Sequence, residues 1–169
     1  MGNAVSVPLG VIVSRETLGD PWQMYRWRPI GVVLDAPPAP LWREIHREKG
    51  IIHYHAATLA LRLDAGEAMA YRVNLANGVP CVYVVMSEDG GNSKMRRSTV
   101  RHVTASPFEV QAFGGHGAET VERVPMPAPL IDLVRSVIDA DGSNDTVAKA
   151  NGGSHGWGTD FSGSSPAGA

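Results

Sequence analysis

The sequence predicts an α+β domain: a curved antiparallel sheet or small β-barrel of about six or seven strands, with one short helix and a C-terminal helix packed on it. Three observations carry this. Apolar residues recur at spacing two in several segments, Leu59, Leu61 and Leu63 among them. Turn chemistry punctuates these segments at short intervals, as at Asp64-Ala65-Gly66, Asn77-Gly78 and Glu88-Asp89-Gly90. Near the end the period changes, and Leu130, Ile131, Val134, Val137 and Ile138 form a stripe at helical spacing.

Taken in order, Val5 to Arg15 is β-branched and apolar and reads as a first strand. Asp20-Pro21-Trp22 turns the chain. Arg26 to Asp35 is a second strand with Arg26 and Arg28 on one face and Trp27 on the other; Pro29 suits an edge position because it cannot donate to a ladder. The proline run at 36–40 stops it, and Leu41 to Lys49 reads as a polar helical turn or loop. Ile51 to Leu63 is a third strand. Ala68 to Leu75 alternates Met69, Tyr71, Val73 and Leu75 with Ala70, Arg72 and Asn74, and reads as a fourth. Asn77-Gly78 then predicts a hairpin into Val79 to Met86, an apolar run suited to a central strand. Lys94 to Thr104 completes a meander with a basic face.

Ser106-Pro107-Phe108-Glu109 is a capping box that opens a short helix ending at Gly114-Gly115. Thr120 to Val124 returns as a strand, and Pro127-Ala128-Pro129 starts the C-terminal helix, expected to end before Gly142. The division is therefore a domain over 4–141 and a Gly/Ser-rich flexible tail over 142–169, which holds seven of the nineteen glycines. Its three large apolar residues, Val147, Trp157 and Phe161, are the ones a partner would order.

Composition limits function. Fifteen Lys+Arg against seventeen Asp+Glu give a net charge of -2, so no basic field draws the chain to nucleic acid. One cysteine rules out a disulfide framework and a four-cysteine metal site within this chain. No apolar run is long enough to insert in a membrane and no secretory signal is evident, so the cytoplasm is the expected compartment.

Several phrases carry a resemblance. They are Pro21-Trp22-Gln23 with Arg26-Trp27-Arg28-Pro29, Tyr54-His55-Ala56, Ala70 to Leu75, Val82 to Val85, Val103 to Pro107 and Val124 to Pro127. In this order, over about residues 6 to 140, the chain resembles the uncharacterised proteobacterial family called domain of unknown function 3305. The resemblance implies an accessory protein encoded beside molybdenum-dependent formate dehydrogenases. It brings no catalytic residues. The link of some members to molybdopterin-guanine dinucleotide biosynthesis fits poorly, since the Gly-rich N-terminus of such a nucleotidyltransferase is absent.

Candidate chemistry is sparse. Trp22, Arg26, Trp27 and Arg28 form an aromatic-basic patch that could stack on and fork to an anionic ligand or an acidic peptide; the plainer alternative is core tryptophans and surface-paired arginines. Lys94, Arg96, Arg97 and Arg101 make a basic edge, for docking or simply to prevent edge pairing. Arg72 and Asn74 share a strand face as a buried polar pair. His53 and His55, two apart on a strand, emerge on one face and could hold a metal if a third ligand such as His102 or Asp64 joined them; no Cys/His cluster completes that set. Cys81 reads as a core thiol, and Asp64 and Glu67 as solvated turn residues.

No nucleophile, base and orienter stand in recognisable spacing. The sequence therefore favours a non-enzymatic protein without a cofactor that docks on a protein partner, which the resemblance makes a molybdoenzyme subunit. Second comes a small barrel holding an anionic ligand such as a pterin nucleotide, and third a metal-dependent enzyme at His53 and His55.

Overall fold

The computed structural model describes residues 4–21, 25–38, 42–88, 98–113 and 119–150, with 143–150 as backbone only. Two antiparallel sheets face each other. The first has the order β2-β1-β4-β3, from Tyr25–Leu34, Ala4–Thr17, Ile51–Asp64 and Arg43–Glu48; the second has the order β6-β5-β7, from Ser98–Thr104, Cys81–Glu88 and Glu119–Pro125. Helices α1 (Ala68–Ala76) and α2 (Ala128–Ala150) complete the α+β domain.

Central strand β1 sets the curvature. Its odd-numbered residues Val7, Leu9, Val11 and Val13 face the core and are buried. Opposite Ile12 the neighbours on both sides carry an extra residue, Ile30 on β2 and Ala56 on β4, because the register steps from Gly31 to Pro29 and from Ala57 to His55. Paired bulges at one level bend a sheet strongly. Pro29 lies on edge strand β2, where its missing N–H costs least.

The core lies between the sheets. Leu9, Val11, Leu61 and Leu63 meet Val82, Val84 and Val124 from the second sheet, and α2 closes it with Leu130, Val134 and Val137. Strand β4 runs beside β6 and β2 beside β7, yet neither seam is hydrogen-bonded, so the curved sheets do not close into a barrel. On the β4 side, β3 takes the first half of the free edge, pairing Arg43 with His55 through Glu48 with Ile51. The second half borders a cavity.

Several sequence expectations change. Residues 68–75 form helix, not strand: the buried set Ala68, Ala70, Tyr71 and Asn74 falls at helical spacings of three and four, and the alternation at spacing two is coincidental. Asp64, read as turn, accepts from Gly66 N at 3.0 Å and starts the short turn of helix that leads into α1. Asn77-Gly78 consequently ends a helix rather than making a hairpin, with Gly78 at φ +58°. Residues 43–48 are strand; all six are exposed, which hid any alternation, and Lys49-Gly50 makes the tight hairpin, with Gly50 at φ +80°. The helix after Ser106 shrinks to a 3-10 turn, Glu109–Ala112. Ser106 Oγ accepts from Glu109 N at 3.2 Å, but the glutamate turns away to other partners, so only half the capping box forms. Helix α2 passes Gly142 and reaches Ala150. The tail beyond 150 and the Gly114-Gly115 stop lie outside the described residues.

After β2, Ala36 and Pro37 lie across the outer face of β1 and β4. Ala36 is buried there against Gly10, and His55 lies beside it. Thr58 Oγ1 donates to Pro37 O at 3.0 Å and meets His55 Nε2 at 2.8 Å, tying the crossing segment down.

Candidate functional site

Aromatic rings gather on the inner face of the four-stranded sheet, at the end formed by the start of β4. Register causes this: Arg15 on β1 stands opposite Trp27 on β2, and Val13 opposite Tyr54 on β4, so these residues share one face. Trp27 and Trp42 meet edge to face at 5.2 Å between centroids; Tyr54 lies 6.0 Å from Trp27 and 5.7 Å from Trp42. Tyr25 adds a fourth ring 6.4 Å from Trp27, and the Arg15 guanidinium sits 4.3 Å from the Tyr25 centroid. All four rings are half-buried. Trp42 holds a left-handed backbone, φ 64°, which costs a large L-residue about 1–2 kcal/mol. Ring packing and its N–H donating to Ala56 O at 3.2 Å keep it there.

Arg26 and Arg28 lie on the face of β2 opposite Trp27, as the alternation of the strand predicts, so they do not form one patch with it. Arg26 pairs loosely with Glu16, directly across on β1, at 3.8 Å. Arg28 is exposed and has no ion-pair partner among the described residues. The cation on the aromatic face is Arg15, which sequence reasoning missed because its partners come from another strand. Trp22, Lys94, Arg96 and Arg97 lie outside the described residues. Arg101, on β6, donates from Nε to Ser87 Oγ at 2.7 Å.

Two expected groupings separate. Asn74 is buried and hydrogen-bonds Cys81 and Ala105, whereas Arg72 is exposed and faces Asp141 of α2 at 3.8 Å; they are not a pair. His53 and His55 do share the outer face of β4, but no three His, Cys, Asp or Glu side chains among the described residues are placed to hold a metal. Thr58 gives its single proton to Pro37 O, so His55 must supply the proton between them. His55 Nε2 therefore carries hydrogen and is not a free ligand atom. His53 instead lies beside His46, with ring centroids 5.3 Å apart and the planes tilted by 43°.

A cavity of about 520 Å³ occupies the open seam between β4 and β6. Asp64 and Arg62 reach it from β4, Glu67 and Tyr71 from the start of α1, His102 from β6, and Glu109 from the turn that follows. Glu109 is fixed at both oxygens, by His102 Nε2 at 2.7 Å and by the Thr104 hydroxyl at 2.7 Å. Ser106 donates to Glu67 Oε2 at 3.1 Å, and Asp64 N donates to the Tyr71 hydroxyl at 3.0 Å. Burial, reinforced by the charges of Glu67, Asp64 and Glu109, pushes the Tyr71 phenol above its ordinary range, so it stays protonated.

The family model described as "Protein of unknown function (DUF3305)" matches residues 8–150, most of the chain. The chain belongs to that family. No curated protein and no solved structure gives a significant match.

The DUF3305 match spans both the aromatic end and the seam cavity. Sequence reasoning set Asp64, Glu67 and Glu109 aside as turn and cap residues. The convergence of Asp64 and Glu67 with His102 and Glu109 depends on the approach of β4 to β6, which no local spacing announces. No helix among the described residues is long and apolar enough to cross a membrane.

Proposed function

We propose that this DUF3305 protein is a non-enzymatic accessory protein of the cytoplasm that docks on a subunit of a molybdenum-dependent, formate-dehydrogenase-type oxidoreductase. The observation that carries docking is the group of four half-buried rings, Tyr25, Trp27, Trp42 and Tyr54, with Arg15 over them. Interfaces take most of their affinity from such aromatic and arginine anchors, which are rigid and lose little entropy on contact. The exposed Ile45, bulged out of β3 next to the residue opposite Tyr54, supplies a rim. The choice of partner rests on the resemblance to proteins encoded beside such enzymes.

The rival readings are weaker. An anionic ligand such as a pterin nucleotide would meet Asp64, Glu67 and Glu109 in the seam cavity, against Arg62 alone. A metal enzyme at His53 and His55 would need a third ligand, and no three His, Cys, Asp or Glu side chains among the described residues are placed together to supply one.

Affinity purification of the tagged full chain from its native host, with mass spectrometry of what is retained, tests the proposal. Recovery of a molybdoenzyme subunit in stoichiometric amount is the expected result. Recovery of the chain alone, or of unrelated proteins only, would overturn it.

A further inference from the structure

We propose that the aromatic end receives an extended, proline-rich segment of the protein partner, with an Asp or Glu of that segment paired to Arg15. This rests on the docking proposed above and adds which kind of element docks and what charge it carries.

An unanswered charge is the first support. Arg15, Ile52 and Arg47 stand in register across β1, β4 and β3 and share the inner face, with Glu44 one step along it, opposite Tyr54. Arg47 takes both oxygens of Glu44, each at 2.8 Å. Those bonds first, and the charges of Arg47 and Arg15 after them, hold the Glu44 carboxyl below its ordinary range. Arg15 thus acts on an acid that is already occupied, and it has no ion pair of its own among the described residues. Its guanidinium lies over Tyr25 at 4.3 Å, which leaves in-plane N–H groups to fork to a carboxylate. Two arginines against one glutamate suit a negatively charged segment.

Hydrogen-bonding character is the second. The indole N–H of Trp27 and the hydroxyls of Tyr25 and Tyr54 have no hydrogen-bond partner among the described residues, and none of them is sealed from solvent. With Arg15 they make the end rich in donors, while its acid Glu44 is taken by Arg47. A proline-rich segment is the matching peptide. Proline has no N–H to satisfy, and a polyproline II helix makes no internal hydrogen bonds, so its carbonyls are free to accept. Rings that meet at 62° and 77° present alternating faces and edges, against which compact proline rings pack.

The probe is the peptide acetyl-APPEPPA-amide, added to the full chain in an amide NMR titration. The controls are acetyl-APPQPPA-amide, which lacks the charge, and acetyl-AGGEGGA-amide, which lacks the prolines. APPEPPA should give saturable shifts at the amides of Arg15, Trp27 and Tyr54 and at the Trp27 indole, and each control should bind about tenfold more weakly. Arg15→Gln should bring APPEPPA down to the affinity of APPQPPA and leave APPQPPA unchanged. Arg15→Lys, which keeps the charge but not the fork, should fall between. Absence of saturable shifts at the aromatic end, equal binding of either control, or wild-type affinity for APPEPPA in both variants would overturn the proposal. A chain that retains a molybdoenzyme subunit but does not bind APPEPPA leaves docking standing and overturns this assignment; one that binds APPEPPA but retains no such subunit does the reverse.

Discussion

Asn74 and Cys81 are joined by a reciprocal pair of hydrogen bonds: Asn74 Nδ2 donates to Cys81 O at 2.7 Å, and Cys81 N donates to Asn74 Oδ1 at 3.0 Å. The same Nδ2 donates to Ala105 O at 2.7 Å, so one buried amide ties α1, β5 and the end of β6 together. Asn74→Ala strands three buried backbone groups, and we expect a loss of about 3 kcal/mol in urea unfolding at unchanged m-value. Asn74→Asp should cost at least as much, because a carboxylate cannot donate to the two carbonyls.

Gly10 is where the crossing segment touches the sheet. An added Cβ would stand 2.7 Å from Ala36 Cβ and 3.1 Å from His55 Nε2. Gly10→Ala should therefore destabilise by about 1–3 kcal/mol. At Gly31 the nearest atom to an added Cβ is Ile12 Cβ at 4.0 Å, so Gly31→Ala should stay within about 1 kcal/mol of wild type. Equal effects in thermal melts would place the crossing segment elsewhere.

Alkaline stability should report the buried tyrosines. Burial is the leading cause that raises the phenols of both Tyr71 and Tyr83 above the ordinary value of 10.0. Above that pH the unfolded chain loses these protons first, so it binds fewer protons than the folded one and stability falls as pH rises. Below it the contribution is constant. Unfolding free energies measured across this range should decline on the alkaline side, and Tyr71→Phe should make the decline shallower.

Arg28 marks the face that docking leaves free. It is exposed and has no ion-pair partner among the described residues, so Arg28→Glu should change unfolding free energy by no more than about 0.5 kcal/mol. Because Arg28 lies on the face of β2 opposite the rings, the reversal should also leave the affinity for the docking partner within about twofold of wild type at physiological salt; a large loss would move the docking surface to the outer face.

What the sequence reveals follows burial. Strands β1, β4 and β5 are legible because Leu9, Leu61 and Val84 lie in the core and impose a pattern on their neighbours. The stripe on α2 is legible for the same reason, with Leu130, Val134 and Val137 against the sheets. Strand β3 has no buried residue to mark its faces, and its Glu44 and Arg47 satisfy each other through two bonds of 2.8 Å. In α1 the apolar Met69 and Val73 are exposed while the polar Asn74 is buried, which inverts the usual signal. The sites were less legible than the fold. Arg15 meets its rings across strands, and Glu67 meets Ser106, far along the chain, only through tertiary approach.

Hydrogen exchange on the chain, alone and with the proposed molybdoenzyme subunit, tests docking by the aromatic end most directly. The account predicts slowed exchange on complex formation at the amides of Tyr25 to Arg28, Trp42 and Ile52 to Tyr54, with α1 and β6 unchanged. Protection confined to α1 or β6, with the aromatic end exchanging as in the free chain, would contradict it.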